Sequence, residues 1–213
     1  MRSFIYAAIL LFVVFVSGVV AGKLYQELDS LFRSELYITT NQQLINRFST
    51  ENTYRLRWDE LIPQTEKALL EKYQGPRPEA FSEQLLLVFQ ANSDDEYQSA
   101  LISTNVVEDV IDRSVSISGF IVPLDLKADR SIKSFFLVPY YGACIHYPPP
   151  PPNQIIYVQL EGSLTQYKME NAFTIEGILR KGMFEDPMGT SAYILEAVSI
   201  TSFEGQPDDF RQH

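Results

Sequence analysis

Cysteine and histidine are almost absent from this 213-residue chain, which has one cysteine, Cys144, and two histidines, His146 and His213. A lone cysteine excludes a disulfide within the chain. The sequence has no CxxC, CxxCH, HExxH or GxSxG pattern and no glycine-rich loop of the kind that cradles phosphate. Dithiol redox chemistry, covalent haem attachment, zincin-type proteolysis, a nucleophile elbow and P-loop nucleotide binding therefore have no sequence support. Basic residues are also scarce: 17 Lys and Arg stand against 27 Asp and Glu, for a net charge of −10 and a pI near 4.7. Such a chain is repelled by phosphate backbones and by anionic lipid, so nucleic acid is not an expected partner.

The composition that remains is that of a folded protein, 46% hydrophobic and 21% charged. The N-terminus carries the strongest targeting signal. Residues 4–22, FIYAAILLFVVFVSGVVAG, hold no charge and lie between Arg2 and Lys23. Their length falls between a signal peptide and a membrane anchor. Val19 and Ala21 form a V-x-A cleavage site, and no cysteine follows it to take a lipid. Cleaved or retained, the run directs the rest of the chain across a membrane.

Beyond this run, Leu24, Leu28, Leu31, Phe32 and Leu36 recur at helical spacing and predict a helical stalk within a segment 23–75. Pro63 opens QTEKALLEKYQ, a helix-forming stretch that Gly75-Pro76 stops. Trp58, the only tryptophan, is expected to pack this segment onto the later domain. Residues 76–113 read as a connection with some helix. LLLVF at 85–89 fits either a strand or a helix turn, and the stretch from Glu96 suggests a helix ending near Asp112.

From residue 114 the pattern changes. Five runs rich in β-branched and aromatic residues, SVSISGFIVPLD, SFFLVPYYGACIHY, IIYVQLEG, AFTIEGILRK and SAYILEAVSITSF, are separated by turn-type residues that include Lys181-Gly182. Five strands without a long helix between them predict a small OB-like β barrel over 114–203, with a β sandwich as the alternative. Gly119 and Gly177 fall inside strands, as expected where a sheet bends sharply. Residues 204–213 read as a polar tail. The fold class is mainly β with N-terminal helices.

The most unusual string is GACIHYPPPPPNQ, residues 142–154. On an extended strand Cys144 and His146 point to the same face, with Cα atoms roughly 6.5–7 Å apart. A thiolate and an imidazole so placed suit zinc or Cu(I), although two ligands do not close a site. The same pair could act as a Cys–His nucleophile, but no orienting third group is recognisable. Five prolines, Pro148, Pro149, Pro150, Pro151 and Pro152, favour a stiff polyproline II strap of about 15 Å. With Tyr140, Tyr141, Tyr147, Asn153 and Gln154 they form a candidate partner-binding patch. The remaining reading is structural: Cys144 as a small core residue, His146 as a satisfied hydrogen-bonding group and the prolines as a connector. Asp125, Asp129, Glu185 and Asp186 are expected as solvated loop charges.

These residues carry a family likeness. SGFIVPL (118–124), FFLVPYYGACIHYPPPPPNQIIYV (135–158), EGIL (176–179) and AYILEAV (192–198) resemble the bacterial exported family catalogued as domain of unknown function 3299. The resemblance implies a protein of the Gram-negative periplasm. It further implies an accessory role beside a membrane transporter or another periplasmic protein, with metal handling, zinc included, as the expected service. No enzymatic activity comes with it. Interaction-module and thiol-dependent enzyme readings stand as alternatives.

Overall fold

The computed structural model describes residues 35–74, 78–125, 127–143, 149–205 and 207. The apolar run 4–22, the first part of the expected stalk, Cys144, His146, Tyr147, Pro148 and most of the tail lie outside the described residues. No described helix is long and apolar enough to cross a membrane.

The architecture is mainly β, a mixed sheet of seven strands. Its principal strands are β3 (Ser114–Pro123), β4 (Ile132–Val138), β5 (Ile156–Leu164), β6 (Ala172–Asp186) and β7 (Gly189–Phe203). Antiparallel ladders join β3 to β4, β4 to β5, β6 to β7 and β3 to β6, while β5 and β7 pair in parallel. Followed through these partners, the hydrogen bonding leaves β3 and returns to it. Two short strands extend the sheet: β1 (Glu35–Ile38) runs antiparallel to β7, and β2 (Tyr54–Arg55) runs parallel to β3.

Side-chain alternation builds the core on both faces. In β4, Phe135 and Leu137 join one apolar cluster with Ile117, Val158, Leu179, Tyr193 and Leu195. Their neighbours Phe136 and Val138 join another with Phe120 and Tyr157, where Phe184 stacks on Tyr157 at 3.7 Å between ring centroids. A strand buried on both sides reads as a continuous apolar run, as Phe135 to Val138, FFLV, does.

Two glycines allow close approaches. A Cβ on Gly119 would lie 2.6 Å from the Val138 carbonyl oxygen and 2.9 Å from the Trp58 ring. Gly177 stands at a register shift between β6 and β7, where a Cβ would lie 2.2 Å from the Glu196 carbonyl oxygen.

The helical part comprises α1 (Gln42–Phe48), a 3-10 turn (Trp58–Leu61), α2 (Gln64–Gln74), α3 (Phe81–Ser93) and α4 (Asp95–Leu101). Trp58 is buried and donates from its indole N–H to the Ser118 carbonyl at 2.7 Å, tying the 3-10 turn to β3 as expected. Asn41 caps α1 and Asp94 caps α4 through their side chains.

Several boundaries differ from the sequence expectation. The described end of the expected stalk is strand β1 followed by the capped α1. Glu-Leu-Tyr-Ile finds a ladder on β7, and a sheet edge outweighs local helical spacing. The helix expected near Asp112 stops at Leu101. Beyond it Ser103 and Asn105 engage Glu66, and only a 3-10 turn (Glu108–Val110) follows. LLLVF lies within α3. Lys181-Gly182 is not a turn: β6 passes through it with a register shift before Phe184 and turns only after Asp186. The second β run ends at Val138, eight residues before His146. Pro139 has no N–H for a ladder, and Gly142 takes φ 76° in the turn that follows.

Candidate functional site

The GACIHYPPPPPNQ segment is held at both ends. On its N-terminal side the chain leaves β4 into a turn, where Ala143 is fully buried and its N–H donates to the Tyr140 carbonyl at 3.3 Å. Tyr140 is buried. Tyr141 is 59% exposed and meets Phe120 edge-on, with centroids 6.1 Å apart. On the C-terminal side Pro149 is exposed, while Pro150 and Pro151 are buried. Pro151 has φ −63° and ψ 157°, the polyproline II conformation expected of the strap. Pro152 then opens a 3-10 turn, Pro152–Gln154, in which the Gln154 N–H donates to the Pro151 carbonyl at 2.8 Å.

Asn153 and Gln154 are fully buried, and their amides are committed inside the chain instead of facing outward. The Asn153 amide N–H₂ donates to Glu66 Oε2 at 2.9 Å and to the Asn105 carbonyl at 3.1 Å. Gln154 donates to the Trp58 carbonyl at 2.7 Å. Glu66 also accepts from the Ser103 hydroxyl and the Asn105 amide, each at 2.7 Å. One carboxylate thus gathers α2, the loop after α4 and the end of the proline strap. Beside it, Tyr193 of β7 donates to the Leu61 carbonyl at 2.9 Å and accepts from the Val107 N–H at 2.7 Å. Burial pushes the Tyr193 phenol up to about 12. The side-chain oxygens of Asn153, Gln154 and Ser191 are buried without a hydrogen-bond partner.

Glu66 belongs to no motif, yet the sequence holds a signal for it. It lies four residues before the buried Leu70 on the same helix, so helical spacing puts it on the face that α2 turns inward. A carboxylate at such a position calls for several donors. Ser103, Asn105 and Tyr193 carried no comparable signal, because their partners are distant in sequence.

Three of the four charges expected in loops have defined hydrogen-bonding tasks, and Glu185 and Asp186 end strand β6 instead of lying in a loop. Asp125 accepts from the backbone N–H groups of Lys133 and Ser134 at 2.9 and 2.8 Å, clamping the loop between β3 and β4. Burial pushes its carboxyl up, but these two backbone bonds prevail and hold it below the usual carboxylate value. Asp129 is lowered by the Ser131 hydroxyl and N–H. Asp186 accepts from the Met188 N–H at the β6–β7 turn, and Glu185 lies opposite Thr190.

Chemically, the described part of the site is an anchoring network. Its carboxylate is occupied by three donors, and among the described residues no group of three His, Cys, Asp or Glu side chains is placed to hold a metal ion. Cys144 and His146, the expected ligands, belong to the five residues between the two anchors and lie outside the described residues.

Comparison with curated proteins finds no match. Among solved structures the chain is similar to a 2.45 Å crystal structure of a DUF3299 family protein from Pseudomonas aeruginosa. The two are 30% identical, with a TM-score of 0.52 over 73% of this chain and 99% of that one. The family model described as protein of unknown function (DUF3299) matches residues 58–202, a span that begins at the buried Trp58 and runs almost to the end of β7. The chain belongs to the DUF3299 family.

Proposed function

We propose that this is an exported, non-enzymatic accessory protein of the periplasm that uses residues 142–154 as a binding element, with Cys144 and His146 as ligands for a thiolate-seeking ion such as zinc. The observation that carries the reading is the investment in anchoring. Tyr140 and Ala143 on one side and Pro150 to Gln154 on the other are tied down by burial and by a buried carboxylate network. A short segment held by rigid flanks is a usual place for binding residues, because positioning lowers the entropy cost of engaging a ligand. In the isolated chain water would complete the ion's coordination, and a group of another molecule would replace it in the complex, which suits an accessory protein beside a transporter. On this reading the circuit β3–β4–β5–β7–β6–β3 is a closed five-stranded OB-like barrel that carries the element at its rim.

Metal content decides the proposal. The purified chain is equilibrated with zinc or Cu(I), desalted and assayed for bound metal, beside Cys144→Ser and His146→Asn. About one ion per chain in the wild type, reduced at least tenfold in either variant, is the expected result. No bound ion in the wild type, or equal amounts in all three proteins, rejects it.

The exposed Tyr141 favours a second reading, in which Tyr141 and the exposed Pro149 of the strap contact a partner protein. Its test is in-cell cross-linking from position 141 in wild type and Pro149→Ala. An unchanged set of cross-links after the substitution counts against it.

A further inference from the structure

Helix α3 leaves an unusual amount of apolar surface uncovered. Phe81, Leu85, Leu86, Val88 and Phe89 are between 47% and 77% exposed, on a helix of 13 residues. Only Gln84, Leu87 and Ala91 are partly covered, and their spacing of three and four residues marks the face that packs toward α2 and α4. Phe81, Leu85 and Val88, spaced by four and three, form an adjoining stripe, with Phe89 beside it. Val88 also belongs to a groove of about 310 Å³ between α2, α3 and α4, lined by Tyr73, Leu87, Ala91, Tyr97 and Leu101. Stripe and groove therefore meet in one apolar surface, larger in kind than the single exposed hydrophobics normal on a protein.

The charges around this surface indicate what covers it. From Pro78 to Asp112 the sequence contains no Lys or Arg, and Lys72, which stands over the Tyr73 ring at the groove, is already paired with Asp94. Glu79 and Glu83 lie at the start of α3, and Asp95 and Glu96 lie just beyond its end. All four are exposed and make no ion pair among the described residues. Two copies of the helix docked on one another would set carboxylates against carboxylates. A helix that lies in a lipid surface usually carries Lys and Arg on its polar face, and α3 carries neither. We propose that stripe and groove receive an apolar helical segment of a partner protein that carries Lys or Arg at its ends. Its apolar face fills the groove, and its cations meet Glu79, Glu83, Asp95 and Glu96. The inference is independent of any metal at Cys144 and His146.

The probe is a synthetic amphipathic helical peptide of Leu and Lys, titrated by fluorescence anisotropy against the full chain in zwitterionic lipid nanodiscs. The comparison peptide has Glu in place of Lys. The test variant is Leu85→Gln with Phe89→Gln. Met183→Gln with Met188→Gln serves as the control, removing exposed apolar side chains elsewhere on the same acidic protein. Unchanged emission from the buried Trp58 confirms that each variant is folded. The expected result is a Leu/Lys affinity at least tenfold weaker in the α3 variant, unchanged in the control, and at least tenfold stronger than for the Leu/Glu peptide. Equal binding to the α3 variant and wild type overturns the proposal, since charge alone then explains it. A chain dimer split by the α3 substitutions overturns it in favour of a second copy. Quenching of a Phe89→Trp emission by brominated nanodisc lipid overturns it in favour of the bilayer.

Discussion

At Asn153 a single amide group binds both the helix that carries Glu66 and the loop that carries Asn105, adding to the direct bonds between them. Replacing it by alanine takes one donor from the Glu66 carboxylate and one from the Asn105 carbonyl. Buried acceptors left short of donors cost about 1–3 kcal/mol. Asn153→Ala is therefore expected to lower the free energy of urea unfolding by that amount. Asn153→Ala combined with Glu66→Ala should lose less than the sum of the single losses, because the two side chains share a bond. Tyr193 makes a prediction at the other end of the pH scale. Its phenol ionises near 10 in an unfolded chain and at about 12 when folded, chiefly because burial disfavours the phenolate. Below pH 10 both states are neutral and the stabilisation is complete. As pH rises from 10 through 12 the unfolded state ionises first and the stabilisation drains away, by about 3 kcal/mol in all. In Tyr193→Phe this alkaline loss should disappear from unfolding curves, while stability at pH 7 falls through two lost hydrogen bonds. Neither role was legible in the sequence. In the sequence Asn153 and Gln154 are companions of the proline run, and that neighbourhood points them toward a partner. The groups that bury their amides, Glu66 and the Trp58 carbonyl, lie 87 and 96 residues away.

The strands were legible because periodicity and β-branched composition are local properties. IKSFFLV and SAYILEAVSITSF announce themselves without knowledge of their neighbours. Their ends were not, because ends depend on partners. β6 continues past Lys181-Gly182 since β7 offers a ladder as far as Asp186, and β1 forms since the Ile200 edge accepts it. Trp58 lies between these cases. Its burial was foreseeable from its size and isolation, but its fit depends on the absence of a side chain at Gly119. That dependence can be measured. In Gly119→Ala the new methyl must displace either the Trp58 ring, 2.9 Å away, or the Val138 carbonyl, 2.6 Å away. Overpacking of a closed core costs about 1–3 kcal/mol. The expected outcome is a loss in that range together with a shift of the single tryptophan's emission. A full loss of stability with unchanged emission would place the strain on the β3–β4 ladder and acquit Trp58.

At the scale of the whole molecule, the carboxylates held below their usual range among the described residues sit at joints between elements. In Asp59, burial pushes the carboxyl up, but hydrogen bonds from Arg57 and Lys67 prevail and lower it, joining the 3-10 turn to α2. Asp94, between α3 and α4, is lowered first by the Tyr73 hydroxyl and then by the Tyr97 N–H. Asp125 and Asp129 hold the loop between β3 and β4. All four have folded values below their unfolded ones, so each contributes stability above the unfolded carboxylate pKa, near ~4, and loses it as pH falls through the lower folded value. A second electrostatic effect runs the other way. The chain carries −10 at pH 7 and approaches neutrality near its pI of 4.7, so mild acid relieves self-repulsion. The two effects occupy different pH ranges and can be separated. Urea midpoints should hold or rise slightly from pH 7 to about pH 5, then fall steeply below about pH 4. Adding salt at pH 7 should reproduce much of the rise, since screening acts on repulsion between exposed charges. Asp59→Asn combined with Asp94→Asn should be less stable than wild type at pH 6 and should lose less on going to pH 3, because two of the titrating joints are already gone. A variant whose acid limb parallels that of the wild type would show that the acid sensitivity resides elsewhere, with Asp125 and Asp129 the next pair to exchange.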